Sequence, residues 1–221
     1  VTLAARLVEE SALLPRVAMR ISKEILEGLT TLHEAGIKHL ALTPNNVFLV
    51  KDSVGVERAQ IAGVSTGHIL GLEQASQRDP SGCFAEPQYL TPEAVAGREL
   101  TAGSDLYGVG LLLYEMLAGR PAFNGGDFRK TARQHAITRP LSPRIVRRKA
   151  QIPRSLDALV MKLLEKTPSR RLESAAAACD QLDTVAEADD EKQNRTSLNF
   201  KPISSPKPAS VGEDSTSPVS A

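Results

Sequence analysis

The stretch Leu32-His33-Glu34-Ala35-Gly36-Ile37-Lys38-His39-Leu40-Ala41-Leu42-Thr43-Pro44-Asn45-Asn46 decides how the rest of the chain is read. Ahead of it, Val17, Ile21, Ile25, Leu29 and Leu32 recur at helical spacing, which predicts a helix over 14–36. Pro15 sits where a first helical turn tolerates proline, and Gly36 is placed as the C-cap. Behind it, Val47-Phe48-Leu49-Val50 is short, apolar and β-prone, and Arg58 to Ile61 offers a second strand across the polar loop 51–57. A long helix therefore runs into a tight polar loop and then into a small hairpin.

Farther out, residues 65–90 are rich in Gly, Ser, Gln and Pro and read as a long irregular segment. Helical patterns resume after Pro92, from Ser104 to Ala118, and from Ser155 to Leu164, where Leu156, Leu159, Val160 and Leu163 form one stripe. A final Ala-rich helix is expected from Ser174, its N-cap, to about Glu187. From Ala188 the composition turns to Asp, Glu, Lys, Ser, Pro and Thr, which predicts a disordered tail over 188–221 after a folded unit over 1–187. Ser205-Pro206 and Ser217-Pro218 in that tail fit proline-directed phosphorylation, a pattern common in such tails by chance.

The order of segments resembles the larger, C-terminal lobe of a protein kinase. Residues 32–39 resemble the "LHxxGI" helix end that leads into the catalytic loop, which in active kinases reads H-R-D-x-x-x-x-N. His39, Pro44 and Asn46 keep that pattern; Leu40, Ala41 and Thr43 replace its Arg, Asp and Lys. Gly63-Val64-Ser65 falls where D-F-G is usual. Thr91-Pro92-Glu93 resembles A-P-E, Ser104-Asp105 opens a segment like the central helix, and 164–171 looks like the late L-x-K-x-P-x-x-R segment. The resemblance runs from Val1 to about residue 186 and starts beyond the hinge, so the small lobe, with its glycine-rich turn and its phosphate-binding Lys, is absent. The implied fold is mainly α: a kinase-like helical lobe with one small β-hairpin.

The resemblance also assigns chemistry. Ala41 stands for the Asp that accepts the substrate proton, a loss of about 10²–10⁴-fold in rate. Gly63 stands for the metal-binding Asp, and of the usual metal ligands only Asn46 remains. Leu40 removes the Arg that commonly reads an activation-segment phosphate, and Glu86 stands where a Thr is usual. Glu93 and Arg171 resemble a buried structural ion pair, Asp105 a residue that bonds the catalytic-loop backbone, and His39 a packing residue under that loop. The expectation is accordingly a non-enzyme: a pseudokinase lobe that binds or scaffolds a protein partner, without ATP or Mg²⁺. Its candidate surfaces are 65–90 and 128–154, the latter carrying Arg144, Arg147, Arg148 and Lys149. The alternatives are an atypical Ser/Thr kinase within a longer chain and a truncated gene product without function.

Bulk properties narrow the field. With 27 Lys and Arg against 26 Asp and Glu, the chain gives no electrostatic reason to expect nucleic acid or an anionic membrane. Cys83 and Cys179 make no disulfide framework and no zinc pattern, which fits a reducing, cytoplasmic setting. The apolar run 106–118 is too short for a bilayer and is expected as a buried helix. His68 and His135 are expected as surface or loop histidines. The start at Val1, without a methionine, is read as a sequence that continues upstream, either in a parent protein that holds the small lobe or in an incomplete gene model.

Overall fold

The structure, a computed structural model, describes residues 1–64 and 86–198. Helix α1 (Leu3–Glu10) is started by Thr2, whose side chain accepts the Ala5 N–H. Helix α2 (Pro15–Glu34) has its proline in the first turn and a Schellman ending. There Gly36, at φ 75°, donates to the His33 carbonyl, and Ile37 donates to the Leu32 carbonyl at 2.8 Å. The helix thus stops where Gly36 lets the chain turn left-handed, and the polar loop begins.

Strands β1 (Val47–Lys51) and β2 (Glu57–Ile61) form an antiparallel hairpin with Val47 opposite Ile61 and Lys51 opposite Glu57. Its turn is held by Asp52, whose carboxylate accepts the N–H groups of Val54 and Val56. Val1 and Thr2 run alongside β1, with the Leu49 N–H donating to the Val1 carbonyl at 2.8 Å.

After the short helix α3 (Pro92–Val95), α4 (Ala102–Ala118) begins at a capping box between Thr101 and Ser104. Helix α4 is apolar nearly all round, with Leu106, Val109, Leu111, Leu112, Leu113, Met116 and Leu117 buried, so other elements cover it on every side. Helices α5 (Phe128–Ile137), α6 (Pro143–Val146), α7 (Arg154–Leu163) and α8 (Ala175–Leu198) complete the described lobe, with α2 packed on α4, α8 and β2. Among the described residues, no helix is long and apolar enough to cross a membrane.

Two glycines let neighbours approach α4. A Cβ at Gly110 would lie 2.8 Å from the Leu163 Cβ, and one at Gly108 would lie 3.2 Å from the Leu42 Cβ. Gly110→Ala should therefore force α7 away and cost about 1–3 kcal/mol, read as a lower urea midpoint at unchanged slope. A midpoint equal to that of the wild type would mean that α7 yields without loss.

Three differences from the sequence reading have local causes. Helices α1 and α5 were not expected; their starts lie in the caps Thr2 and Asp127, the latter accepting the Lys130 N–H at 2.8 Å. The final helix runs to Leu198 and not to about Glu187, so 188–198, expected as the start of a disordered tail, is helical. Ala, Asp, Glu, Lys and Gln there are polar yet tolerate a helix, and Asp190 pairs with Arg16 of α2. His135, expected at the surface, has 0% exposure, because α5 turns Thr131, Ala132 and His135 inward on one face. Residues 65–85, with Ser65, His68 and Cys83, and residues 199–221 lie outside the described residues.

Candidate catalytic loop and its supports

Asp105, at the start of α4, organises the loop that follows α2. Its Oδ2 accepts the His39 N–H at 2.9 Å, and its Oδ1 accepts the Leu40 N–H at 2.7 Å. The same carboxylate faces His33 Nε2 at 2.8 Å. Leu40 is held at φ 60°, a left-handed conformation that costs a non-glycine residue about 1–3 kcal/mol unless its surroundings impose it. Asp105 imposes it by occupying both neighbouring amides.

The far side of the loop is tied to the strand exit. His39 is buried, and its Nε2 lies 2.9 Å from the Ala62 carbonyl, the residue before Gly63. Burial pushes the His39 pKa down, partly offset by that carbonyl, so the neutral ring with Nε2–H as donor fits the site. The Ala62 N–H in turn donates to the Asn46 carbonyl at 2.8 Å. Asn46 closes the loop on itself by donating from Nδ2 to the Ala41 carbonyl at 2.7 Å. Its neighbour Asn45 reaches outward and donates from Nδ2 to Glu86 Oε1 at 3.0 Å. Thr43 is extended and half-buried, Gly63 has φ 76°, and Val64 is exposed.

A second assembly braces residues 86–93 against the late part of the chain. Arg171 meets Glu93 through two hydrogen bonds, Nη2 to Oε1 at 2.5 Å and Nη1 to Oε2 at 3.2 Å, with both side chains buried. Arg171 also donates to the carbonyls of Gly103, Glu165 and Lys166, and Ser104 donates to Glu93. Beside this pair, Lys166 donates to the Tyr107 hydroxyl at 3.0 Å and lies 4.3 Å from the centre of the Phe123 ring. Burial and the neighbouring Arg171 push the Lys166 pKa down to about 8. His135 packs edge-on to Phe123, with Nδ1 3.2 Å from the Tyr107 hydroxyl. Burial first, and then the Lys166 charge, push its pKa down to about 3.

His135 and His39 make stability depend on pH. Each is neutral in the fold but takes a proton near pH 6.5 once the chain unfolds, so the unfolded chain binds more protons below that pH. Stability should fall as pH drops from about 6.5 towards 3. Glu115, whose pKa burial raises, opposes the trend as pH falls through its raised folded value towards the ordinary carboxylate range. Melting temperatures measured from pH 7 to pH 4 check this, and His135→Gln should flatten the slope. A flat wild-type profile would count against the buried, neutral His135.

The sequence profile of the protein kinase domain matches residues 1–182. The chain belongs to the protein kinase family. Serine/threonine-protein kinase pkn2 of Myxococcus xanthus is 36% identical over 171 residues, covering 76% of this chain and 20% of that protein. Serine/threonine-protein kinase PksC of Streptomyces coelicolor is 33% identical over 169 residues, covering 76% of this chain and 29% of that protein. This kinase chain thus spans less than a third of the length of these relatives. Among solved structures, the Rad53 kinase domain with SCD2 in complex with AMPPNP aligns with a TM-score of 0.62 at 20% identity. That alignment covers 81% of this chain and 63% of the Rad53 chain, and it shows the shared fold.

The kinase relatives correct one expectation. The replaced residues at 40, 41, 43 and 63 led to the reading of a non-enzyme. The relatives carry the names of serine/threonine-protein kinases, which points to an enzyme. The structure supplies a physical reason for not judging by those side chains alone. The loop's shape is set by backbone amides on Asp105 and by His39 and Asn46, none of which was replaced.

Mg²⁺, which kinases of this family use with ATP, is a harder test. Gly63 offers no side-chain oxygen, and the Asn46 amide is spent in part on Ala41. Among the described residues, no group of three or more His, Cys, Asp or Glu could hold a metal ion. These donors do not fit a Mg²⁺ site of the usual carboxylate kind.

Proposed function

We propose that the chain is the large lobe of an atypical Ser/Thr protein kinase, an ATP-dependent phosphotransferase completed by a nucleotide-binding lobe elsewhere in a longer protein. The observation that carries this reading is the loop at 39–46. Asp105, His39 and Asn46 hold it in shape, and it sits on the matched family region alongside relatives named as serine/threonine kinases. In this reading the lobe supplies the protein-substrate platform, and the isolated chain holds neither ATP nor Mg²⁺.

The test is thermal shift with ATP, with and without Mg²⁺, on this chain and on the full-length protein, alongside transfer of labelled phosphate to casein. The reading expects no shift for this chain alone, a shift for the full-length protein, and measurable transfer. A full-length protein that neither shifts nor transfers would sink it.

A second reading, a docking surface for another protein, is favoured by apolar side chains left in solvent at the end of α5 and beyond it. Ile137, Leu141 and Ile145 are each more than half exposed, next to Arg144 and Arg148. If this face holds the acceptor protein, replacing the three apolar residues by serine should raise KM for that protein several-fold and leave kcat unchanged. An unchanged KM would remove the reading.

A further inference from the structure

We infer that Glu86 supplies the carboxylate that accepts the substrate's hydroxyl proton, in the place vacated at Ala41. The inference rests on the phosphotransferase reading above and names the group that performs its central step.

Glu86 is the residue from which the turn Pro87–Tyr89 starts, and its carbonyl accepts the Tyr89 N–H at 3.0 Å. This fixes its backbone where the chain meets the catalytic loop. Its side chain is held from the loop itself: Asn45 Nδ2 donates to Glu86 Oε1 at 3.0 Å. The next residue, Asn46, donates its own Nδ2 to the Ala41 carbonyl at 2.7 Å. Two consecutive amides therefore grip the two partners, one holding the residue that lost its acid and the other holding an acid from a different segment. Glu86 is exposed, so its carboxylate remains open to an incoming hydroxyl.

The other acids around the loop are already committed. Asp105 takes the loop amides, Glu93 takes Arg171, and Asp52 takes the hairpin turn together with Arg58. Glu115 accepts the Tyr89 hydroxyl at 2.6 Å, and burial raises its pKa. Among the described residues, Glu86 is the acid whose side chain bonds a side chain of this loop.

The acceptor's hydroxyl oxygen forms a bond to the γ-phosphorus of a nucleoside triphosphate. The bond from that phosphorus to the β–γ bridging oxygen breaks, and its electron pair leaves with the nucleoside diphosphate. The hydroxyl proton passes to the Glu86 carboxylate and from there to water. General base assistance of this kind is worth about 10²–10⁴-fold.

Glu86→Gln isolates the base from the contact, because the glutamine carbonyl still accepts from Asn45 while its amide takes no proton. In full-length protein, with ATP as donor and casein as acceptor, kcat should fall about 10²–10⁴-fold at unchanged KM for ATP. The melting temperature should not change. Adding Ala41→Asp to Glu86→Gln should restore transfer, since an acid returns to the same loop. Three outcomes overturn the inference. If Glu86→Gln matches the wild type, the kinase reading stands without this base. If activity falls and Ala41→Asp does not restore it, Glu86 only positions Asn45. If the wild type transfers nothing, the phosphotransferase reading and this one fall together.

Discussion

Replacing Arg171 by methionine should lower the unfolding free energy by about 3–5 kcal/mol, a large share of what a domain of this size has. The loss comes from what stays behind. Glu93 would keep a buried carboxylate with only the Ser104 hydroxyl as donor among its described contacts, and the carbonyls of Gly103, Glu165 and Lys166 would lose their shared donor. Removing Glu93 as well, as Glu93→Leu with Arg171→Met, should recover most of the loss, because two apolar groups leave no stranded charge. Urea unfolding of the single and double variants measures both effects. A single variant within about 1 kcal/mol of the wild type would show that water reaches the pair.

The second large effect belongs to Asp105. Asp105→Ala leaves the amides of His39 and Leu40 without their acceptor, at about 1–3 kcal/mol each. It also removes the constraint that holds Leu40 at positive φ. Amide exchange should speed at His39 and Leu40 well before it speeds in the interior of α2. Asp105→Asn keeps one acceptor oxygen and should lie between. Uniform acceleration across the whole lobe would instead mean that loop and core unfold together.

Much of this was legible in the sequence where one residue dictates one local outcome. Gly36 ends α2 because it can turn left-handed, and both expected strands appear, each a residue longer than the stretch expected at 47–50 and 58–61. The stripe in α7 faces the core as its spacing requires. What escaped were features set by distant contacts. The burial of His135 depends on Phe123, Tyr107 and Lys166, which lie in other segments. The extension of α8 depends in part on Arg16, remote in sequence from Asp190. The reading of a non-enzyme leaned on missing side chains at 41 and 63. Nothing in the linear pattern showed that Asn45 would bring Glu86 to the loop, although its odd presence there was visible.

The way Asp105 holds the loop sets how freely that loop can be rewritten. Its carboxylate grips main-chain N–H groups, and every amino acid except proline owns one. The contour at 40–41 is therefore blind to which side chains it displays. Leucine and alanine can stand where charged groups would otherwise be without a change of shape, and an acid could return to position 41 into a frame already cut for it. Proline at 39 or 40 is the residue that this frame refuses.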